Sequence, residues 1–202
     1  MLPEYFAIIG AVIASGGGLY YLYETIRGTA KPNRVTWLLW GILPMITFVA
    51  QRVQGVQGLS WATFVAGLTP FFVVAASFLN KKAYWKTQLL DYVLMVAAII
   101  GIILWIVTKD ANLAIFFTII ADLLASIPTI IKSFKHPETE SWIAYALSTL
   151  GFAIAVLSIH VFNFQNSAFV IYLLSIQTIL TILTIRTPLQ RLAASKNKIT
   201  AD

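Results

Sequence analysis

The sequence predicts an all-α integral membrane protein, and three observations carry that prediction. The 202 residues are 59% hydrophobic and only 11% charged, with a mean hydropathy of +0.82. That is more apolar surface than a water-soluble domain can hide without association. Continuous apolar runs, each near the ~20 residues that cross ~30 Å of hydrocarbon, recur along the chain. These runs lack the period of two that marks a barrel strand, which leaves helices to satisfy the backbone in lipid.

Seven runs can be marked, at 5–25, 35–51, 59–79, 88–107, 113–131, 141–160 and 168–185. The first follows Met1-Leu2-Pro3-Glu4, with no basic stretch and no small-residue cleavage pattern, so a retained span is expected. Gly16-Gly17-Gly18 at its middle suits close helix packing more than unwinding. The second is short but bounded by Arg34 and Arg52, with Pro44 inside; the third carries Thr69 and Pro70 near its centre. The fourth starts beside Asp91, within reach of Lys82 or Lys86. The fifth has Asp122 at its centre and Pro128 near its end. The sixth begins at Ser141, which Glu138 and Glu140 are expected to help in capping, since acidic groups favour a helix N-terminus. The seventh holds Ser175 and Gln177 at mid-depth.

Orientation follows from the basic residues. Of the 14 Lys and Arg, all but Arg52 and Lys109 fall in the 1–2, 3–4 and 5–6 connections or in the tail. By the positive-inside rule the N-terminus is outside and the C-terminus cytoplasmic, and the expected location is the plasma membrane. Topology thereby explains the net charge of +6, and no nucleic-acid partner is implied.

The chain also repeats itself. Arg27, Pro32, Thr36, Trp37 and Trp40 recur as Lys132, Pro137, Ser141, Trp142 and Tyr145, each 105 residues on. That offset carries spans 1–3 onto spans 5–7 and leaves span 4 as a connector. Three crossings reverse the chain and the fourth restores it, so the triplets are expected to be parallel repeats, an arrangement found in transporters. The expected organisation is a first triplet at 1–79, a linker helix with its loops at 80–112, a second triplet at 113–185 and a basic cytoplasmic tail at 186–202.

The segment Ser126-Ile127-Pro128-Thr129-Ile130-Ile131-Lys132, then Lys135, Pro137-Glu138-Thr139-Glu140-Ser141 and Trp142, resembles the Pro-Thr or Pro-Gln loop of the SWEET and PQ-loop transporters. The resemblance covers the seven-helix region to about residue 185. It implies a three-one-three architecture and movement of a small polar solute, such as a sugar or amino acid, by alternating access. Departures leave the substrate open. Tyr23-Glu24 stands where Pro128-Thr129 stands in the second triplet, Thr149 stands opposite Pro44, and spans 3 and 7 have no central asparagine.

Candidate substrate-binding residues are Trp37, Trp40, Asp122, Trp142, Tyr145, Thr149 and Gln177. A carboxylate at the centre of a span costs about 2.5–3.5 kcal/mol on insertion scales, so Asp122 should face the interior. Burial disfavours its charged form, which also makes it the candidate proton-coupling group. Trp37 with Trp40, and Trp142 with Tyr145, are i, i+3 pairs that share a helix face. The alternative for Trp37 and Trp142, nearer the cytoplasmic edge, is an interfacial aromatic belt, which is also the reading of Trp85 and Trp105. Gln177 could equally bond between helices. Pro128 and Pro44 are the candidate hinges.

Other classes fare worse. Without cysteine there is no disulfide or thiolate metal site, and neither His136 nor His160 has a metal-ligand partner at useful spacing. No metal or cofactor is expected, and no Ser–His or paired-Asp arrangement suggests an enzyme. A retinal-type receptor needs a lysine within span 7, and 168–185 has none. A seven-helix receptor or binding protein without transport activity remains the alternative, to be separated by a flux measurement.

Overall fold

The structure, a computed structural model, describes residues 2–83, 85–108 and 110–190. Lys109 and residues 191–202, with Arg191, Lys196 and Lys198 of the basic tail, lie outside the described residues, as does the side chain of Trp105. Among those described, seven α-helices account for the regular structure, with short 3-10 turns at Lys81–Ala83 and Pro137–Thr139 and no strand. The helices are α1 Phe6–Arg27, α2 Arg34–Val53, α3 Gly58–Leu79, α4 Leu89–Thr108, α5 Ala111–Lys135, α6 Trp142–Leu157 and α7 Phe164–Thr184. Each apolar run holds one helix. Five of them, α1, α2, α3, α5 and α7, are long and apolar enough to cross a membrane. The sixth is shorter than its run: it has 16 residues and stops at Leu157, where Ser158 turns its hydroxyl back to donate to the Ala155 carbonyl (2.7 Å).

Side chains set several helix starts. Asn33 Oδ1 accepts from the N–H groups of Val35 (3.1 Å) and Thr36 (3.3 Å), and Asp110 Oδ1 does the same for Asn112 and Leu113. Asn163 and Ser141 cap α7 and α6. The expectation that Glu138 and Glu140 share the α6 cap is corrected here. Ser141 caps alone, Glu138 lies 3.6 Å from His136 in the 3-10 turn, and Glu140 turns inward. α1 ends at Gly28, whose φ of 77° is the left-handed conformation that suits glycine, and the Gly28 N–H donates back to Glu24 and Thr25 carbonyls.

Asn33 has a second task. Its Nδ2 donates to Asp91 Oδ1 (2.9 Å), while Asp91 Oδ2 accepts from the Gln88 N–H (2.6 Å) at the start of α4. The bonds shown for Asp91 are therefore to Asn33 and Gln88 rather than to Lys82 or Lys86. Because Asn33→Ala removes a cap and strands a buried carboxylate oxygen, it is expected to cost about 2 kcal/mol, read as a lowered thermal midpoint in detergent.

Helix α3 lies between α1 and α2, and α7 between α5 and α6; the two groups join where α1 packs on α6 and α2 on α5, while α4 rests on α5 and α2. Directions follow from the bonds. The Leu2 N–H donates to the Leu157 carbonyl (2.9 Å), whereas Tyr21 near the other end of α1 meets Glu140 just before α6, so α1 and α6 are antiparallel. Thr36, at the start of α2, donates to the carbonyl of Ala125 late in α5 (2.8 Å). Arg34 donates to Ser77 at the end of α3, and Arg186 to Phe134 at the end of α5. The odd-numbered helices thus finish at one end of the bundle and the even-numbered ones begin there. Arg27, Lys31, Arg34, Lys81, Lys82, Lys132, Lys135 and Arg186 gather at that end; Glu4, Arg52, Asp110 and His160 lie toward the other.

The α1–α6 contact is built on small residues. A Cβ added at Gly17 would stand 2.6 Å from Ser148 Oγ, and one at Gly18 would overlap the Thr69 side chain, whereas Gly16 faces open space. Gly17 and Gly18 therefore serve close packing, as small residues do between helices in lipid. Pro44, Pro70 and Pro128 all sit inside helices that continue past them.

Candidate functional site

Where the two groups of helices meet, they enclose a cavity with walls from α1, α2, α3, α5, α6 and α7. The space that centres of water-sized spheres can occupy is ≈ 50 Å³, enough for a few waters. A solute the size of a monosaccharide would need the walls to part. Aromatic rings crowd the end nearer the basic surface. Tyr21 and Trp37 lie 4.2 Å apart between ring centroids, Trp37 and Trp40 5.3 Å, and Tyr21 and Tyr145 5.9 Å.

Asp122, only 1% exposed, is the carboxylate in this wall. Its Oδ2 accepts a short bond from the Tyr172 hydroxyl (2.6 Å) and a long one from Ser126 Oγ (3.5 Å). The Ser126 hydroxyl also donates to the Asp122 backbone carbonyl (2.7 Å) and accepts from Trp40 Nε1 (3.0 Å). Asp122 Oδ1 has no partner. Neither has Trp37 Nε1 nor Gln177 Oε1, and the residues bearing all three atoms line the cavity. A buried polar atom without a partner costs about 1–3 kcal/mol, and three of the ten such side-chain atoms among the described residues belong to this wall.

Beyond the rings, at the basic end, Glu140 holds together a second polar cluster. Its Oε1 accepts from Lys132 Nζ (2.7 Å), and its Oε2 accepts from both Tyr21 and Tyr145 hydroxyls (each 2.7 Å). Lys132 Nζ also donates to the Lys31 carbonyl, and the Lys31 N–H donates to the Thr139 carbonyl (3.0 Å). The side chains of Lys132 and Glu140 are 1% and 0% exposed. One carboxylate thereby ties together α1, α5, α6 and the α1–α2 connection.

The structure brings five of the seven candidate binding residues to the cavity: Trp37, Trp40, Asp122, Tyr145 and Gln177. Trp37 is 5% exposed among other rings, so it is a core residue and not part of a belt. Thr149 lies elsewhere, its hydroxyl 3.1 Å from that of Thr181 between α6 and α7, and the half-buried Trp142 is not in the cavity wall. Of the candidate hinges, Pro44 lines the cavity, while Pro128 lines a separate pocket at the basic end with Asn33, Asp91 and Lys132. Trp85 reaches that end too, its ring 4.8 Å from Lys132 Nζ.

Tyr21, Ser126, Lys132, Glu140 and Tyr172 were not anticipated. For two of them a signal existed: Tyr21 and Ser126 are 105 residues apart, the same offset that links Trp40 with Tyr145. Nothing in the chain marks Tyr172 among the tyrosines. The chain matches no protein-family model, no curated protein and no solved structure. Among the described residues no group of His, Cys, Asp or Glu is arranged to hold a metal ion.

Proposed function

We propose that this protein is a seven-span transporter of the cell membrane that moves a small polar solute by alternating access between two parallel helix triplets. The observation that carries the proposal is the central cavity at the junction of the triplets, whose wall includes Trp37, Asp122 and Gln177, each with a polar atom that lacks a partner. In this reading the basic end is cytoplasmic and α1 starts outside, as the positive-inside rule requires.

The packing scheme supports the duplication. Exchanging α1, α2 and α3 for α5, α6 and α7 turns each main contact among these six helices into another that is present: α1–α6 becomes α5–α2, α1–α3 becomes α5–α7, and α2–α3 becomes α6–α7, while the contact of α4 with α5 has no counterpart on α1. At residue level, Trp40 bonds to Ser126 on one side. Their repeat partners Tyr145 and Tyr21 meet on the other and share Glu140. Substrate sites at the interface of repeats are what such transporters use. Asp122 is the binding or proton-coupling group; its repeat partner Gly17 packs closely on α6, so the site is asymmetric. The resemblance to SWEET and PQ-loop transporters points the same way.

The test is uptake by liposomes of a labelled panel of sugar, amino acid and nucleoside at two pH values. Saturable uptake is expected. Asp122→Asn should slow it on the order of tenfold or more, the value of a hydrogen bond to a charged group, and flatten its pH dependence. Trp40→Ala and Tyr145→Ala should each impair it. Tight binding without flux would instead make the protein a receptor.

A further inference from the structure

The unpartnered polar atoms buried in the residues of the cavity wall say more than that the guest is polar. The geometry points to a small organic ammonium compound, carrying N–H donors and one hydrogen-bond acceptor, as the solute; this rests on the transporter reading above. Two of the three unpartnered atoms, Asp122 Oδ1 and Gln177 Oε1, are acceptors and one, Trp37 Nε1, is a donor. An ammonium group brings several donors and no acceptor, which suits the first two. An ether or hydroxyl oxygen on the same molecule suits the third.

Charge selects in the same direction. Among the described residues that line the cavity there is no Lys, Arg or His. The nearby Lys132 is committed to Glu140 and the Lys31 carbonyl. Glu140 therefore has its cation, and Asp122 has none. An anionic guest would meet an uncompensated carboxylate. The carboxylate of a zwitterion would find no cation to receive it. A cation would find both the carboxylate and a wall that includes the aromatic rings of Tyr21, Trp37, Trp40 and Tyr145, whose π electrons attract positive charge.

Proton location leads to the same guest. Oδ2 is already occupied by the Tyr172 hydroxyl at 2.6 Å. Oδ1 receives no donor among the described residues, and a guest ammonium there supplies the missing donor and the compensating charge together. A polyol guest could bond to the carboxylate but brings no compensating charge, and much of its donor and acceptor set would face apolar wall.

The experiment uses the full chain in lipid nanodiscs for titration calorimetry and in liposomes for uptake. The probes are ethanolammonium, its neutral counterpart ethylene glycol, ethylammonium, glycine and glucose. Ethanolammonium is expected to bind and to be taken up, with ethylene glycol, glycine and glucose weaker by on the order of tenfold or more. Asp122→Asn should remove that preference. Trp37→Phe keeps the ring and deletes the N–H, so it should weaken ethanolammonium severalfold and leave ethylammonium unchanged, which a merely misfolded variant would not do. Glucose or ethylene glycol bound and transported in preference to the amines would overturn the ammonium assignment and leave the transporter reading intact. Amines bound through Asp122 without uptake would uphold the assignment and overturn the transporter reading. No binding and no uptake of any probe would overturn both.

Discussion

Replacing Lys132 by Met is expected to destabilise the bundle by about 3–5 kcal/mol, the usual cost of removing one partner of a buried ion pair. The side chains of both partners are almost fully out of solvent, and among the described residues no other cation is bonded to Glu140. Tyr21 and Tyr145 would still donate to Oε2, but hydroxyls do not cancel a charge. The Lys31 carbonyl would lose its donor as well. Thermal unfolding in detergent measures the loss. Adding Glu140→Gln to Lys132→Met should recover part of it, because the carboxamide oxygen still accepts from a tyrosine and carries no charge; the double-mutant cycle isolates the pair. If Lys132→Met unfolds at the wild-type temperature, the cluster does not hold this end closed. The same change bears on gating. Since the protein has no cysteine of its own, a single Ala144→Cys reports on the cavity, and its labelling by a thiol reagent from the basic side should quicken when Lys132 is lost.

Gly151→Leu should be comparably harmful for a different reason. Even a Cβ at this position would stand 2.6 Å from the Ala14 nitrogen and 2.8 Å from Ala14 Cβ, with the Gly10 carbonyl closer still. Backbone cannot swing aside as a side chain can, so α1 and α6 must separate along their length. Overpacking costs typically 1–3 kcal/mol, and here the upper end or beyond is expected because the interface that opens also forms a cavity wall. Gly16→Ala is the matched control. Nothing lies near its added Cβ, and the gain of about 0.4–1 kcal/mol from a stiffer unfolded chain should leave the thermal midpoint equal or higher. Loss of folded protein for Gly16→Ala, or none for Gly151→Leu, would contradict the packing described.

Seven helices could be placed from the chain because continuous apolarity needs no knowledge of neighbours. A run of such residues demands a helix wherever it sits, and polar connections end it. Asp122 was also visible from composition, since a carboxylate in mid-run must find an interior. What stayed hidden was rotation. When every face of a helix is apolar, hydropathy cannot say which side meets protein, so Trp37 read as well at an interface as in the core where it lies. Glu140 looked like a cap for the same reason. A carboxylate one residue before a helix N-cap usually serves that helix, and its true partners come from distant parts of the chain, Tyr21 being 119 residues away.

The linear order of residues was enough to set the helical class, the grouping of basic side chains between runs, and the 105-residue echo linking Trp40 with Tyr145. These are local properties, or comparisons of the chain with itself. Which residues line the cavity, that Tyr172 bonds to one oxygen of Asp122 and leaves the other without a partner, and that Lys132 neutralises Glu140 rather than Asp122 were settled by how the helices pack. Hydrogen bonds between helices act over about 3 Å, and whether two groups come that close depends on the crossing and rotation of elements far apart in the chain.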